Sequence, residues 1–208
     1  MLRERWYGSQ VALGSYSPQF GQTPSVELAT GTYAIGPPTG ALMLHTGRSG
    51  FGAMAGHDLV IEVTRWGGTV RIDAERIEAS LVEVVVDATS LEVREGKGGA
   101  VPLLAINKSE IGKTINKVLS AKKHPEMRFR STAVTRTVDG FIVHGDLTIT
   151  GTTRPAELTV LIDITGQPRG TVTTTVLQSD FGIKPYSTML GALRVRDAVE
   201  VHAEVQLR

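Results

Sequence analysis

The chain has 208 residues, with 22 Lys plus Arg against 21 Asp plus Glu and no cysteine. That length suits one large domain, the near-neutral balance supplies no field to draw it to nucleic acid, and the lack of thiols excludes disulfides and thiolate metal sites. No run reaches the ~20 apolar residues of a membrane-spanning helix, and the stretch from Met1 to Gly8 lacks the apolar core of a signal peptide, so the expected compartment is the cytoplasm.

Residues 1–30 carry Gly8, Gly14, Pro18, Gly21 and Pro24, which break any period and predict a flexible N-terminal extension, with Trp6, Tyr7, Tyr16 and Phe20 scattered through it. Strands begin at Gly31. Thr32 to Ile35 runs into the turn signal Gly36-Pro37-Pro38, and Ala41 to His45 is a second short strand. Leu59, Ile61 and Val63 alternate with Glu62 and Thr64, and Gly67-Gly68 predicts a turn into Val70 to Asp73. Over 80–87, Val82, Val84 and Val86 share one face, opposite Glu83 and Asp87. Glu95 to Gly99 reads as a flexible loop.

From Lys108 to about Lys123 the period changes. Ile111, Ile115, Val118 and Leu119 fall three or four apart, which is one face of an amphipathic helix over about 108–123. Asn107 followed by Glu110 resembles a capping box. Lys122, Lys123 and His124 suit the helix C-terminus, and Pro125 ends it. Alternation then resumes. Met127, Phe129, Ser131 and Ala133 oppose Arg128, Arg130 and Thr132, and Phe141, Val143, Leu147 and Ile149 oppose His144, Asp146 and Thr148. Asp139-Gly140 between these runs predicts a tight hairpin of the type that needs positive φ. The last run sets Val195, Val199, Val201, Ala203, Val205 and Leu207 against Arg194, Arg196, Glu200, His202 and Glu204. Strands dry on one face build antiparallel sandwiches or barrels, so the fold class is all-β.

Motifs for catalysis fall short. Gly50 to Ala55 with Asp73 beyond it fits a loose dinucleotide fingerprint, but a strand pattern follows where a helix should open, so it reads as a glycine-eased bend. Gly112-Lys113-Thr114 lies inside the predicted helix and lacks the first glycine of a phosphate loop. Ser120 to Lys123 matches a Ser-x-x-Lys pattern without its companion elements. The histidines at 45, 57, 124, 144 and 202 are dispersed, and His57-Asp58 reads as turn chemistry. No catalytic residue, metal ligand or cofactor is therefore assigned.

The second half is similar to a known family. His124 to Ser131 resembles its Pro-x-hydrophobic-x-Phe-x-Ser strand. Val143 to Pro155 carries the more distinctive Gly-x-Leu-Thr-hydrophobic-x-Gly-x-Thr-(Arg/Lys)-Pro block. Gln178 to Ile183 and Val195 to Val201 complete the order. Together they resemble the YceI-like family, also called lipocalin-like or polyisoprenoid-binding, over residues 31–208. The resemblance implies an eight-stranded antiparallel lipocalin-like barrel with one helix beside or over it, and a cavity for a long isoprenoid chain. The family's Asp-Pro-x-His-Ser strand is replaced here by Gly36 to Gly40, and its Arg-Asp-x-His-Leu segment by Lys97 to Leu104.

An eight-stranded barrel is just wide enough to be filled by side chains or to hold one small ligand. Gly145, Ser131, Ala133 and Ala203 are small residues on apolar faces, which favours a void that no charged group enters. The expected function is non-enzymatic binding, carriage or sequestration of an isoprenoid or other long-chain lipid. Val82, Val84, Val86, Phe129, Ala133, Val143, Leu147, Val160, Ile162, Val199 and Val201 are its expected lining. Two alternatives stand beside it. One is an enzyme using His57, Asp58 or His124 on an apolar substrate. The other is a module whose lysines at 108, 113, 117, 122 and 123 dock on anionic lipid or a partner. Peripheral membrane contact and dimerisation are both compatible with these features.

Overall fold

The computed structural model describes residues 28–163 and 167–208, so the expected N-terminal extension lies almost wholly outside the described residues. Its strands are β1 (Gly31–Ile35), β2 (Gly40–Ser49), β3 (Asp58–Val63), β4 (Trp66–Ile72), β5 (Leu81–Asp87), β6 (Leu91–Lys97), β7 (Glu126–Arg136), β8 (Gly140–Ile149), β9 (Thr152–Asp163), β10 (Arg169–Leu177), β11 (Ser187–Thr188) and β12 (Leu193–Gln206). All ladders are antiparallel, in the order β1-β4-β5-β7-β8-β9-β10-β12-β2-β3-β6, with the short β11 on β12.

That path has two ends, yet the chain closes it. β3 runs into β4 through Thr64 and Arg65, and β5 into β6 through Ala88 to Ser90. The Thr64 amide donates to the Ser90 carbonyl (2.9 Å) and the Asp87 amide to the Arg65 carbonyl (3.0 Å), so pairing carries across the corner. β1–β2, β3–β4 and β5–β6 are thus three bent strands. With β7, β8, β9, β10 and β12 they make the eight staves of an antiparallel barrel, in which β1 pairs only with β4 and β6 only with β3.

The bends correct two expectations. Gly67 and Gly68 make no turn. They lie inside β4, where a Cβ on Gly68 would stand 2.2 Å from the Glu83 carbonyl oxygen, so glycine admits the close approach of β5. Glu95 to Lys97 is the end of β6 rather than a loop. Hairpin chemistry is also redistributed. Val138 and Asp139 do join β7 to β8, but neither Asp139 nor Gly140 has positive φ. The turn with two left-handed residues is Thr150 (φ 49°) and Gly151 (φ 79°), between the paired Ile149 and Thr152.

Among the described residues the single α-helix, α1, spans Ala105–Val118. It starts earlier than predicted because Asn107 is the third helical residue and not the cap. Its side-chain oxygen accepts the Leu104 amide (3.1 Å). It ends earlier because Ser120 turns left-handed (φ 49°), and the Ala121 amide reaches the Asn116 carbonyl (2.9 Å) while that of Ser120 reaches Lys117 (3.0 Å). This is a Schellman closure with serine in the usual glycine position, and it disposes of the Ser-x-x-Lys match. Ile111, Ile115 and Leu119 pack on the main core, and Val118 on a second cluster of Ile149, Phe181 and Ile183.

Candidate functional site

The barrel encloses a cavity of about 620 Å³, within the range of small-molecule pockets. Inward positions on the staves supply its wall, because alternate strand residues face one side. At one end Ile72, Ile77, Val134, Phe141, Val205 and Leu207 line it and are all buried. Toward the other end it runs past α1 to loops and strand termini carrying Arg48, Gly56, His57, Tyr186, Leu193 and Arg194.

Of the residues expected from sequence, Val82, Val84, Val86, Phe129, Val143, Leu147, Val160, Ile162, Val199 and Val201 line this cavity. Ala133 does not, and it is exposed. In β7 the register shifts between Ser131 (opposite Gly145) and Ala133 (opposite His144), so Thr132 is an extra residue. A one-residue bulge flips the alternation beyond it, and Val134 takes the inward place. The Ser131 hydroxyl accepts the Val82 amide (2.8 Å) next to this bulge and is buried there.

The small residues open the cavity less than expected. A Cβ on Gly145 would lie 2.5 Å from Phe129 Cζ, so the Phe129 ring already occupies that space. Ala203 lines the void, as do Gly170 and Val172, which sequence reasoning did not single out. β10 hid them, since Arg169–Leu177 is threonine-rich and shows little apolar alternation.

The chemistry of the wall is one-sided. Among the described residues no Asp or Glu lines the cavity, whereas Arg48, Arg128, Arg194 and His57 do. Asp197 is the instructive case. Counting by twos from Val195 to Val199 would aim it inward, yet β12 places three residues between them where β2 places only Gly47. The bulge turns Asp197 aside, and its carboxylate accepts the Ser179 amide (2.8 Å) and the Ser179 hydroxyl. Arg48 contradicts the expectation that no charged group enters the hollow. It follows Leu42, Leu44 and Thr46 in the inward series of β2.

The residues proposed for acid–base work are not brought together. The His57 Nε2 lies 2.8 Å from the Val101 carbonyl, and Asp58 accepts the Arg48 amide (2.8 Å). His124 sits against Gly151. His144 and His202 are on outward faces, beside Glu157 and Glu200 respectively (3.6 Å each). The described residues contain no group of three His, Cys, Asp or Glu placed to hold a metal. Of the helical lysines, Lys113 pairs with Glu110 (2.7 Å), and Lys108 donates to the Arg94 carbonyl.

The family model of the YceI-like domain matches residues 43–207. The fold is similar to that of BcnA from Burkholderia cenocepacia (TM-score 0.61, 13% identity, 80% of this chain and 94% of that one). It is also similar to a YceI protein from Campylobacter jejuni (0.53, 16%, 70% and 82%). A third likeness is to a domain from Saccharophagus degradans described as polyisoprenoid-binding and implicated in plant cell wall breakdown (0.55, 8%, 86% and 100%). At these identities the likeness shows the fold. No curated protein matches the sequence.

Proposed function

The chain belongs to the YceI-like family, and on that premise we propose that it is a binding protein, not an enzyme, that takes up the chain of an isoprenoid or similar apolar lipid inside the barrel. The observation that carries this reading is the cavity of about 620 Å³, whose wall is mostly apolar and carries no carboxylate among the described residues. The polyisoprenoid-binding description of a structural neighbour supports the choice of ligand class. At ~0.8 kcal/mol per buried methylene, ten methylenes contribute about 8 kcal/mol gross, and ordering costs leave room for micromolar binding. Such a wall selects length and shape.

Trp66 lines the cavity and is buried, so its emission reports occupancy. In a Trp6→Phe background, titration with a polyprenol is expected to shift and quench the Trp66 signal to saturation. Unchanged emission together with no co-eluting polyprenol overturns the reading.

The loops at the Arg48 end of the cavity support loading from a membrane. Phe51 (93% exposed), Met54 (86%), Met189 (60%) and Leu190 (fully exposed) project from two loops joined by the Gly52 amide on the Ala192 carbonyl (2.9 Å). Met189 and Leu190 both hold left-handed backbone (φ 52° and 54°), a conformation unfavourable for side chains of their kind. Exposed apolar groups beside a lipid cavity mark a docking surface, and these loops suit it better than the helical lysines. Phe51→Ser with Leu190→Ser is expected to abolish co-sedimentation with vesicles and leave polyprenol binding in solution intact. Sedimentation equal to that of the native protein removes the docking role.

A further inference from the structure

A charged side chain pointing into an apolar barrel needs a partner, because a desolvated charge is costly. Arg48 is in that position. Its Nη1 donates to the carbonyls of Gly56 (2.7 Å) and Lys97 (2.9 Å), which fix the guanidinium across the opening. Gly98 is folded against it so closely that a Cβ there would lie 2.1 Å from Nη1. Of the five guanidinium donors, Nη1 uses its two, while Nε and Nη2 have no partner among the described residues.

Among the described residues no carboxylate pairs with this group. Asp58 is turned to the Arg48 backbone and Asp197 to Ser179, so neither faces the cavity. Arg194 adds a second cation to the same wall. Its strand neighbour Val195 is paired with Arg48, and among the described residues only its Nε is engaged, on the Gly191 carbonyl (2.8 Å). Two arginines with spare donors at one end of an apolar tube match an amphiphile with an anionic end.

We infer that Arg48, assisted by Arg194, is a binding site for the anionic head group, a phosphate or carboxylate, of an amphiphile whose chain fills the barrel. This rests on the proposed lipid binding and adds the polarity of the ligand and its direction of entry, chain first. The forked guanidinium presents parallel N–H groups to two oxygens of one head, which an ammonium would not do.

The test uses three ligands with one chain, namely farnesol, farnesoic acid and farnesyl phosphate, measured by calorimetry on the full-length protein. The acid or the phosphate is expected to bind roughly tenfold or more tightly than the alcohol, as a hydrogen bond to a charged group would give. Which anion binds tighter tells phosphate from carboxylate. Arg48→Gln should bring the anions down toward the alcohol's affinity, Arg194→Gln should do so in part, and Arg48→Lys should keep a reduced preference. A purely structural role for Arg48 would weaken all three ligands alike and overturns the inference. Should Arg48→Gln fail to fold, the native protein's anion preference must still shrink as salt is raised. Equal binding of all three ligands by the native protein, or a preference insensitive to salt, sinks the head-group site and leaves lipid binding standing. Binding of none sinks both.

Discussion

Phe129 lays its ring over Gly145 on the neighbouring strand, with Cζ 2.5 Å from where a Cβ would stand and the Arg130 carbonyl oxygen equally near. The aromatic ring and the missing side chain form one fitted unit in the wall. Gly145→Ala must displace both, so a loss of ~1–3 kcal/mol is expected from overpacking, read as a lowered urea midpoint. An unchanged midpoint means that the ring does not rest there.

The bulge at Thr132 separates two neighbours by fate. Ala133→Glu is expected to change stability by no more than about 0.5 kcal/mol, as surface substitutions do. Val134→Glu puts a charge among the buried residues at one end of the barrel and is expected to prevent folding. Circular dichroism melts of the two variants check this, and a destabilised Ala133→Glu would place the bulge wrongly.

Filling the void tests it as empty space. Val160→Phe and Val172→Phe each add volume to the cavity wall. Polyprenol affinity is expected to fall at least ~10-fold, equivalent to about 1.4 kcal/mol, with little loss of thermal stability. In a tightly packed interior the same substitutions cost ~1–3 kcal/mol of stability instead.

The corner joining β5 to β6 has a pH signature. The Thr89 hydroxyl, and after it the Arg65 guanidinium, hold the Asp87 carboxyl below its ordinary 3.8. A depressed carboxylate stabilises the fold above its unfolded pKa, and that stabilisation disappears as pH falls through the folded value. Asp87→Asn should therefore narrow the difference in urea midpoint between pH 7 and the region below roughly pH 4. The effect stays under about 1 kcal/mol, since the side chain is 38% exposed and screened by solvent.

Much of this architecture was written in alternation. Val82, Val84 and Val86, or Val143 and Leu147, could be placed on a dry wall by counting in twos, and the family block from Val143 to Pro155 supplied the barrel. Counting fails where a ladder takes in extra residues. Nothing in Ser131-Thr132-Ala133 or in Arg196-Asp197-Ala198 announces a bulge, because its cause is the partner strand's register. Turn chemistry misled for a related reason. Gly68 and Gly140 admit the close passage of a neighbouring backbone, and neither has positive φ. Arg48 keeps the even spacing of Leu42, Leu44 and Thr46, but a charged residue at a strand end reads from sequence as solvent-facing.

Native mass spectrometry of protein purified without detergent is the most direct measurement of the central claim. An intact complex carrying a lipid adduct that vanishes on denaturation is the predicted result. A bare polypeptide mass that takes up no added polyprenol would contradict it.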